Sequence, residues 1–209
     1  MSESEPARSV EIELKFDVDD DDTPAPDWSD LPGVADVTPG EHRDLDALYL
    51  DSADAALARA GYALRRRTGG PDEGWHLKGP RGEDGGRVEL HWPLGSADVV
   101  PDGARAEIAS VTGAPLEPLA RVRNARTVRH LRDADGGVIA EFADDHVSTR
   151  DERAGVEREW REWEMELGPA GPADAESRAA FFAAVERAAL AAGGRAAASD
   201  SKLARALGH

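Results

Sequence analysis

An alternation of charged and apolar residues near the start of the chain is the feature that most constrains its fold. Glu11, Glu13 and Lys15 are separated by single apolar residues in the stretch Val10-Glu-Ile-Glu-Leu-Lys-Phe16. Side chains two positions apart on a β-strand point to the same face, so a strand here has one charged and one apolar face. Taken alone, this is compatible with an ordinary strand that has a solvated polar face. Two carboxylates beside an ammonium would also suit a metal ion that carries a phosphate ligand.

The same alternation recurs in later segments of the chain. It is found in Leu64–Arg67, Trp75–Lys78, Arg87–Leu90, Val138–Phe142 and Glu162–Leu167. Ordinary solvated sheet faces mix charges with Ser and Thr, whereas these faces are nearly all charged and are segregated by sign. The basic group is Arg65, Arg67 and Lys78, and the acidic group is Glu11, Glu13, Glu162, Glu164 and Glu166. If the sheet closes, both groups can line one interior.

The order of the predicted elements indicates a single domain, residues 1–209, of class α+β with mainly β structure. The predicted strands are residues 10–18, 45–50, 62–67, 74–78, 87–94, 126–131, 138–143 and 157–167. The predicted helical segments are 52–60, 102–111, 118–122, 176–192 and 201–207. Residues 1–9 are predicted as a flexible tail and residues 19–32 as a solvated acidic loop. This pattern favours an antiparallel barrel or a strongly curved sheet with peripheral helices.

Composition narrows the partners and the metal chemistry. The formal net charge of −17 argues against general nucleic-acid binding, which needs a basic surface. No apolar stretch is long enough to span a bilayer and none resembles a signal peptide, so a cytoplasmic protein without a membrane partner is expected. The chain has no Cys, so a metal would be held by oxygen or imidazole ligands. Its lysines are Lys15, Lys78 and Lys202, whose compact charge suits a phosphate oxygen.

Carboxylates grouped beside Arg and Lys in a closed interior are suited to binding a metal ion together with a polyanion. Oxygen ligands suit Mg²⁺ or Mn²⁺, and basic side chains neutralise a polyanion and stabilise charge on transferring phosphoryl oxygens. A metal ion can bridge the two groups and activate a water for in-line attack. The predicted ligand is a short, highly charged polyphosphate. No Gly-x-x-x-x-Gly-Lys-Ser/Thr motif is present, so a P-loop is not expected.

These motifs resemble the CYTH family, the triphosphate tunnel metalloenzymes, which includes thiamine triphosphatases, inorganic triphosphatases and class IV adenylate cyclases. Residues Glu11–Lys15 match the Glu-x-Glu-x-Lys signature of that family. Residues Tyr49–Ser52 resemble its Tyr-x-Asp-Thr segment, with Ser in place of Thr, and Ser201–Lys202 resembles the terminal Ser-Lys whose Lys points into the tunnel. The sequence of Leu64–Gly70 and Gly74–Lys78 is most similar to that of bacterial members that carry a CHAD domain downstream.

The resemblance implies an eight-stranded antiparallel β-barrel that forms a tunnel, and a metal-dependent triphosphatase that acts on a terminal phosphoryl group, with inorganic triphosphate as the first candidate substrate. The implied catalytic residues are Glu13, Lys15 and Glu164. The implied phosphate-binding residues are Lys15, Arg65, Arg67, Lys78, Arg87, Arg126 and Lys202. The implied ligands of Mg²⁺ or Mn²⁺ are Glu11, Glu13, Glu89, Glu141, Asp144, Glu162, Glu164 and Glu166. Asp145 is an alternative to Asp144, because the strand register there is ambiguous.

Other functions stay open from the sequence. The interior is also compatible with a binding module that captures polyphosphate or a nucleotide without chemistry, and with a thiamine triphosphatase. A class IV adenylate cyclase is a further alternative, although no segment of the chain reads as a dedicated adenine pocket. His76 lies on a charged face, where a histidine is more often a hydrogen-bonding support than a ligand.

Overall fold

A computed structural model describes residues 5–82, 86–95, 99–199 and 201–209. The described part of the chain forms one antiparallel sheet of eleven strands, accompanied by short and long helices. The strands are β1 (Ala7–Glu11), β2 (Glu13–Val18), β3 (Asp36–Val37), β4 (Glu41–Asp51), β5 (Ala63–Thr68), β6 (Gly74–Arg81), β7 (Arg87–Pro93), β8 (Glu117–Arg132), β9 (Val138–Asp151), β10 (Glu157–Leu167) and β11 (Arg195–Ala196). The helices are α1 (Ala56–Arg59), α2 (Asp102–Ile108), α3 (Ala175–Ala191) and α4 (Lys202–Ala206). The predicted class, mainly antiparallel β with peripheral helices, is confirmed.

The first two strands connect the two sides of the sheet. Hydrogen-bonded neighbours follow the order β1-β7-β6-β5-β4-β8-β9-β10-β2-β11, and β3 pairs with β8. β1 and β2 are far apart in this order, yet Ile12 alone separates them in the chain, and its carbonyl accepts a 3.0 Å hydrogen bond from the Leu167 amide. The ladder is therefore not a continuous ring, but one chain segment joins β7 to β10. With β1 and β2 counted together and the two-residue strands set aside, the predicted eight strands remain.

Two local predictions are wrong. Residues 7–9 of the predicted tail belong to β1, where Ala7 lies opposite His91 of β7, and residues 1–4 lie outside the described part of the chain. The helical turn predicted at residues 118–122 is the start of β8. Pro118 pairs with Leu50 next to a register shift in β4, where a proline without an amide hydrogen is tolerated.

Two of the three apolar clusters of the described residues lie on the outer face of the sheet, and the third borders the cavity through Ala47, Tyr49, Ala63 and Val122. Trp163 of β10 is fully buried against α3, which contributes Phe181 and Val185. A separate apolar cluster lies under α1 and α2, where Trp75 of β6 packs with Ile108. Since side chains alternate along each strand, apolar residues on the outside leave the charged residues of the same strands to face inward.

The acidic loop at residues 19–32 contains no helix or strand, as predicted, but it is not wholly solvated. Trp28 and Leu31 are buried, and the Trp28 ring lies 5.0 Å from the Phe142 ring, centroid to centroid. The backbone carbonyls of Asp20 and Asp21 each accept a hydrogen bond of 2.9 Å from Arg161 of β10. Apolar anchors within a charged segment thus hold the loop against the outer face of the sheet.

Side-chain oxygens accept hydrogen bonds from the first amides of α1 and α4. The Ser52 hydroxyl accepts a 3.0 Å hydrogen bond from the Ala56 amide, and the Asp51 carboxylate accepts from the Leu57 amide at 2.9 Å. At α4, Ser201 is the N-cap residue, which places Lys202 in the first turn. Within the described ranges, no helix has both the length and the apolar character needed to cross a membrane.

Candidate functional site

A cavity of about 530 Å³ runs through the interior of the sheet and is lined by charged side chains. Nearly all of the residues implicated by the sequence contribute to its wall. They are Glu11, Glu13, Lys15, Arg65, Arg67, Lys78, Arg87, Glu89, Arg126, Glu141, Glu164, Glu166 and Lys202. They come from β1, β2, β5 to β10 and α4, so the arrangement of the strands around the cavity is what brings them together.

Three buried carboxylates form the cluster best suited to a metal ion. Asp145 lies opposite Glu162 on the neighbouring strands β9 and β10, and Glu164 follows two positions later on the same face. One oxygen from each carboxylate lies within 4.8 Å of the others, the only such group among the described residues. We call Asp145, Glu162 and Glu164 the carboxylate trio. Its all-oxygen donor set fits a hard divalent cation such as Mg²⁺ or Mn²⁺.

The ammonium of Lys202 lies at the centre of the carboxylate trio. Its Nζ is 2.8 Å from Asp145, 2.5 Å from Glu162 and 2.6 Å from Glu164. Although burial lowers the pKa of Lys202, these three carboxylates hold it well above its usual value. A metal ion bound by the same three oxygens would occupy the position of the ammonium. Metal binding at the trio therefore requires the Lys202 ammonium to leave these three oxygens.

Two further cations contact the trio. Arg126 of β8 donates two hydrogen bonds of 2.7 Å to Asp145 and one of 2.5 Å to Glu164. Lys15 of β2 pairs with Glu164 and lies 3.0 Å from Glu13. Burial raises the pKa of Glu164, but Lys15, Lys202 and Arg126 together hold it well below its usual range. Glu164 is therefore a carboxylate whose charge three cations stabilise.

The structure corrects the prediction of Asp144 as an inward-facing ligand. Its carboxylate accepts hydrogen bonds of 2.9 and 2.7 Å from Arg161, whose guanidinium lies over the Trp163 ring on the outer face. Asp145 occupies the inner position instead, opposite Arg126 in the pairing of β8 with β9. A shift of one residue in a strand reverses the face on which a side chain lies, which is why the sequence left these neighbours undecided.

A second group of ion pairs lies on the side of the cavity formed by β1, β5, β6 and β7. Lys78 pairs with Glu11, and Arg65 lies 3.4 Å from Glu89. His76 is buried and places Nδ1 3.0 Å from the same Glu89 oxygen, so it supports Glu89 as the sequence suggested. Arg87 reaches the cavity wall but donates hydrogen bonds to the backbone carbonyls of Gly79 and Gly61, at 2.6 and 3.0 Å.

Additional acidic residues form a row across three strands. Glu166 of β10 lies opposite Glu13 of β2 on one side and Glu141 of β9 on the other. Next to this row, His130 Nε2 lies 3.1 Å from Glu141, and Arg43 lies 3.9 Å from the same carboxylate. His130 and Arg43 were not predicted from the sequence. His130 lies four positions after Arg126 on β8, and Arg43 lies two positions before Leu45, which lines the cavity, on β4.

A family model for the CYTH domain matches residues 9–189 of the chain. The chain belongs to the CYTH family. The sequence is 38% identical, over 216 aligned residues, to two uncharacterized proteins of Mycobacterium tuberculosis, one from strain CDC 1551 / Oshkosh and one from strain ATCC 25618 / H37Rv. The alignment covers 97% of this chain but 41% of each relative, so the chain spans about two fifths of their length.

Solved structures share the CYTH tunnel fold. A candidate adenylate cyclase from Bacillus halodurans superimposes with a TM-score of 0.62 at 16% identity, covering 95% of this chain and 97% of that one. A candidate adenylyl cyclase from Hippeastrum with a dominant triphosphatase activity superimposes with a TM-score of 0.53 at 20% identity, covering 94% and 95%. At these identities the likeness shows the fold alone. CYTH proteins bind triphosphate substrates, and the family is metal-dependent.

The acidic row of this CYTH tunnel gives a prediction for the pH dependence of stability. Burial, together with the charges of Glu11 and Glu13, raises the pKa of Glu166 from 4.5 to about 8. A carboxyl with a raised pKa in the folded state makes folding less favourable as pH rises from about 4.5 to 8. With EDTA present, Glu166→Gln should therefore raise Tm by several degrees at pH 8 and by little at pH 5.

The exposed Glu159 of the same strand provides the matched control. Thermal unfolding of Glu159→Gln at both pH values should follow the wild type, because its carboxylate faces solvent. Equal shifts of Tm at pH 5 and pH 8 for Glu166→Gln would contradict the assignment of a raised pKa to this residue.

Proposed function

We propose that this CYTH domain is a metal-dependent triphosphatase that hydrolyses a terminal phosphoryl group of a triphosphate, with inorganic triphosphate as its preferred substrate. The observation that carries the proposal is a cavity in which Glu164 of the carboxylate trio lines the wall beside inward-facing lysines and arginines. Carboxylates can hold a divalent cation there, and the basic side chains can hold the phosphates of the same ligand. The neighbour from Hippeastrum with triphosphatase activity supports this choice.

In this proposal the residues of the wall bind and orient the triphosphate. Arg65, Arg67 and Lys78 contact phosphate oxygens from one side of the cavity, while Lys15, Arg126 and Lys202 do so from the other. When bound by the trio and by the substrate, Mg²⁺ or Mn²⁺ would neutralise phosphoryl charge and orient the attacking water. Water adds to the terminal phosphorus, the anhydride bond breaks, and orthophosphate and diphosphate leave. Further metal ligands are proposed among the other acidic residues of the wall, which are Glu11, Glu13, Glu89, Glu141 and Glu166.

The lining of the cavity favours a substrate without an organic ring. Among the described lining residues, Tyr49 is the one aromatic side chain besides the imidazole of His130. The Tyr49 hydroxyl accepts a 3.3 Å hydrogen bond from Arg65, which ties this ring into the charged wall. A nucleotide base or a thiamine ring is expected to stack on aromatic side chains, which are scarce here, although Leu45, Val122 and Leu167 also line the cavity. Inorganic triphosphate needs only the charges.

Three alternative functions are separable by experiment. Purified protein should be incubated with tripolyphosphate, thiamine triphosphate or ATP in the presence of Mg²⁺, Mn²⁺ or EDTA, and the release of orthophosphate measured. We expect release from tripolyphosphate with either metal and none with EDTA. Cyclic AMP and diphosphate formed from ATP would assign a cyclase, and preferred turnover of thiamine triphosphate would assign that substrate. Tight binding of polyphosphate without any phosphate release would assign a non-catalytic binding module.

A second domain and the location of the protein in the cell are also part of this proposal. The curated relatives are more than twice as long as the chain, and a CHAD domain downstream is our proposal for the full-length protein, from the resemblance of Leu64–Lys78 to such members. A cytoplasmic location is also proposed.

A further inference from the structure

We propose that Asp72 is a specificity-determining residue whose carboxylate competes with phosphate groups for Arg67 and so sets how many phosphates a ligand needs to bind. Asp72 lies in the turn between β5 and β6 and faces the cavity from its wall. None of the motifs of the sequence points to it. The inference rests on the proposed function only in taking Arg67 as a phosphate-binding residue.

The ion pair between Arg67 and Asp72 joins a buried cation to a solvent-accessible anion. The Arg67 guanidinium pairs with the Asp72 carboxylate through Nη2, and the two side chains are 9% and 56% exposed. In the described part of the chain, Asp72 is the one carboxylate within salt-bridge distance of Arg67. Burial, together with the charges of Arg65 and Arg126, lowers the pKa of Arg67 to about 9. The charges of Arg65 and Arg126 thus add to that of Arg67 at this end of the cavity, and Asp72 is its local counter-anion.

The turn that carries Asp72 is held in place from both ends. Gly69 and Gly70 adopt φ values of +81° and +79°, and a Cβ at Gly69 would lie 2.0 Å from the backbone oxygen of Asp44. His76 places Nε2 3.0 Å from the Asp72 carbonyl oxygen, and His91 places Nε2 3.3 Å from the Glu73 carbonyl oxygen. The turn is thus packed against the wall, and the Asp72 side chain is directed at Arg67 by a fixed backbone.

Competition at one arginine affects short and long phosphate ligands differently. A ligand that reaches Arg67 must replace the Asp72 carboxylate, which can turn into solvent because it is already half exposed. A triphosphate can compensate for this exchange with contacts to several other cations of the wall, whereas orthophosphate or diphosphate has fewer such contacts. Asp72 would therefore weaken the binding of short anions most, and it would favour departure of diphosphate after hydrolysis.

The adjacent Glu73 provides a matched control for the loss of one negative charge. Binding of tripolyphosphate, diphosphate and orthophosphate to wild type, Asp72→Asn and Glu73→Gln should be measured by calorimetry, with KM and kcat for tripolyphosphate alongside. We expect Asp72→Asn to bind diphosphate about tenfold more tightly and tripolyphosphate about threefold more tightly, with KM lowered and kcat not raised. Glu73→Gln should stay within about twofold of wild type for every ligand.

Asp72→Ser serves as a second variant, because an asparagine amide can still hydrogen-bond to Arg67 whereas the shorter serine cannot. Unfolding temperatures near that of wild type would show that these exposed substitutions leave the fold intact. Equal effects of Asp72→Asn and Glu73→Gln, or weaker diphosphate binding in both Asp72 variants, would overturn the inference. The binding measurements decide it even if the wild type hydrolyses no triphosphate, so its failure is distinguishable from that of the proposed function.

Discussion

Glu164→Gln is expected to lower kcat/KM for tripolyphosphate by more than about 100-fold. Glu164 belongs to the carboxylate trio and also contacts Lys15, Lys202 and Arg126. The amide has nearly the same shape but no charge, so it weakens the binding of a divalent cation and no longer balances the three cations. Initial rates of phosphate release over a range of tripolyphosphate and Mg²⁺ concentrations would measure the loss.

Stability has to be separated from catalysis in this experiment. Loss of the Glu164 charge leaves Lys15, Lys202 and Arg126 each with one carboxylate fewer, and the free energy of unfolding should fall by about 3 kcal/mol. The double variant Glu164→Gln/Lys15→Met removes one of those cations and should regain part of the stability without regaining activity. The exposed Glu159→Gln on the same strand should retain wild-type rates. Activity of Glu164→Gln within tenfold of wild type would contradict the role of the trio.

Phe142→Ala is expected to lower the free energy of unfolding by about 3–5 kcal/mol. The Phe142 ring is 1% exposed and packs between Trp28 of the acidic loop and Trp163 of β10, at centroid distances of 5.0 and 6.3 Å. Removal of the ring leaves a cavity under the loop and α3 that the rigid sheet cannot fill. Urea unfolding followed by tryptophan fluorescence would report it as a lower midpoint.

Leu190→Ala on α3 provides the comparison for Phe142→Ala. Its side chain is 49% exposed, so its truncation should cost less than about 1 kcal/mol. A loss below about 1 kcal/mol for Phe142→Ala as well would show that the loop at residues 19–32 is not part of the packed core.

Several strands were predictable because they have one charged and one apolar face. The alternation at residues 11–15 and 162–167 indicated both the strands and the side that would line the cavity, and the structure places Trp163 outside and Glu164 inside accordingly. The start of β8 was mispredicted because Pro118 suggests a turn or a first helical residue, whereas pairing with β4 and β9 decides its conformation. Long-range pairing of this kind leaves no local signal.

The arrangement of charges within the site was less predictable than its composition. The sequence suggested separate acidic and basic groups, but the structure pairs cations with carboxylates across strands, as in Lys78 with Glu11 and Arg126 with Asp145. Which of two adjacent aspartates faces inward depends on register, which only the ladder between β8 and β9 determines. Arg43 and His130 were missed because neither lies in a strand segment whose alternation is complete.

The link through Ile12 has a consequence for the order of folding. β1 and β2 are synthesised before the strands with which they pair, since β1 pairs with β7 and β2 pairs with β10. Lys15 and Glu164, which meet across one of these ladders, are 149 residues apart in the chain. Contacts of such high sequence separation slow folding, and until β10 is synthesised β2 remains an unpaired edge. Nascent chains of this protein should therefore be most prone to intermolecular strand pairing before residue 167 emerges.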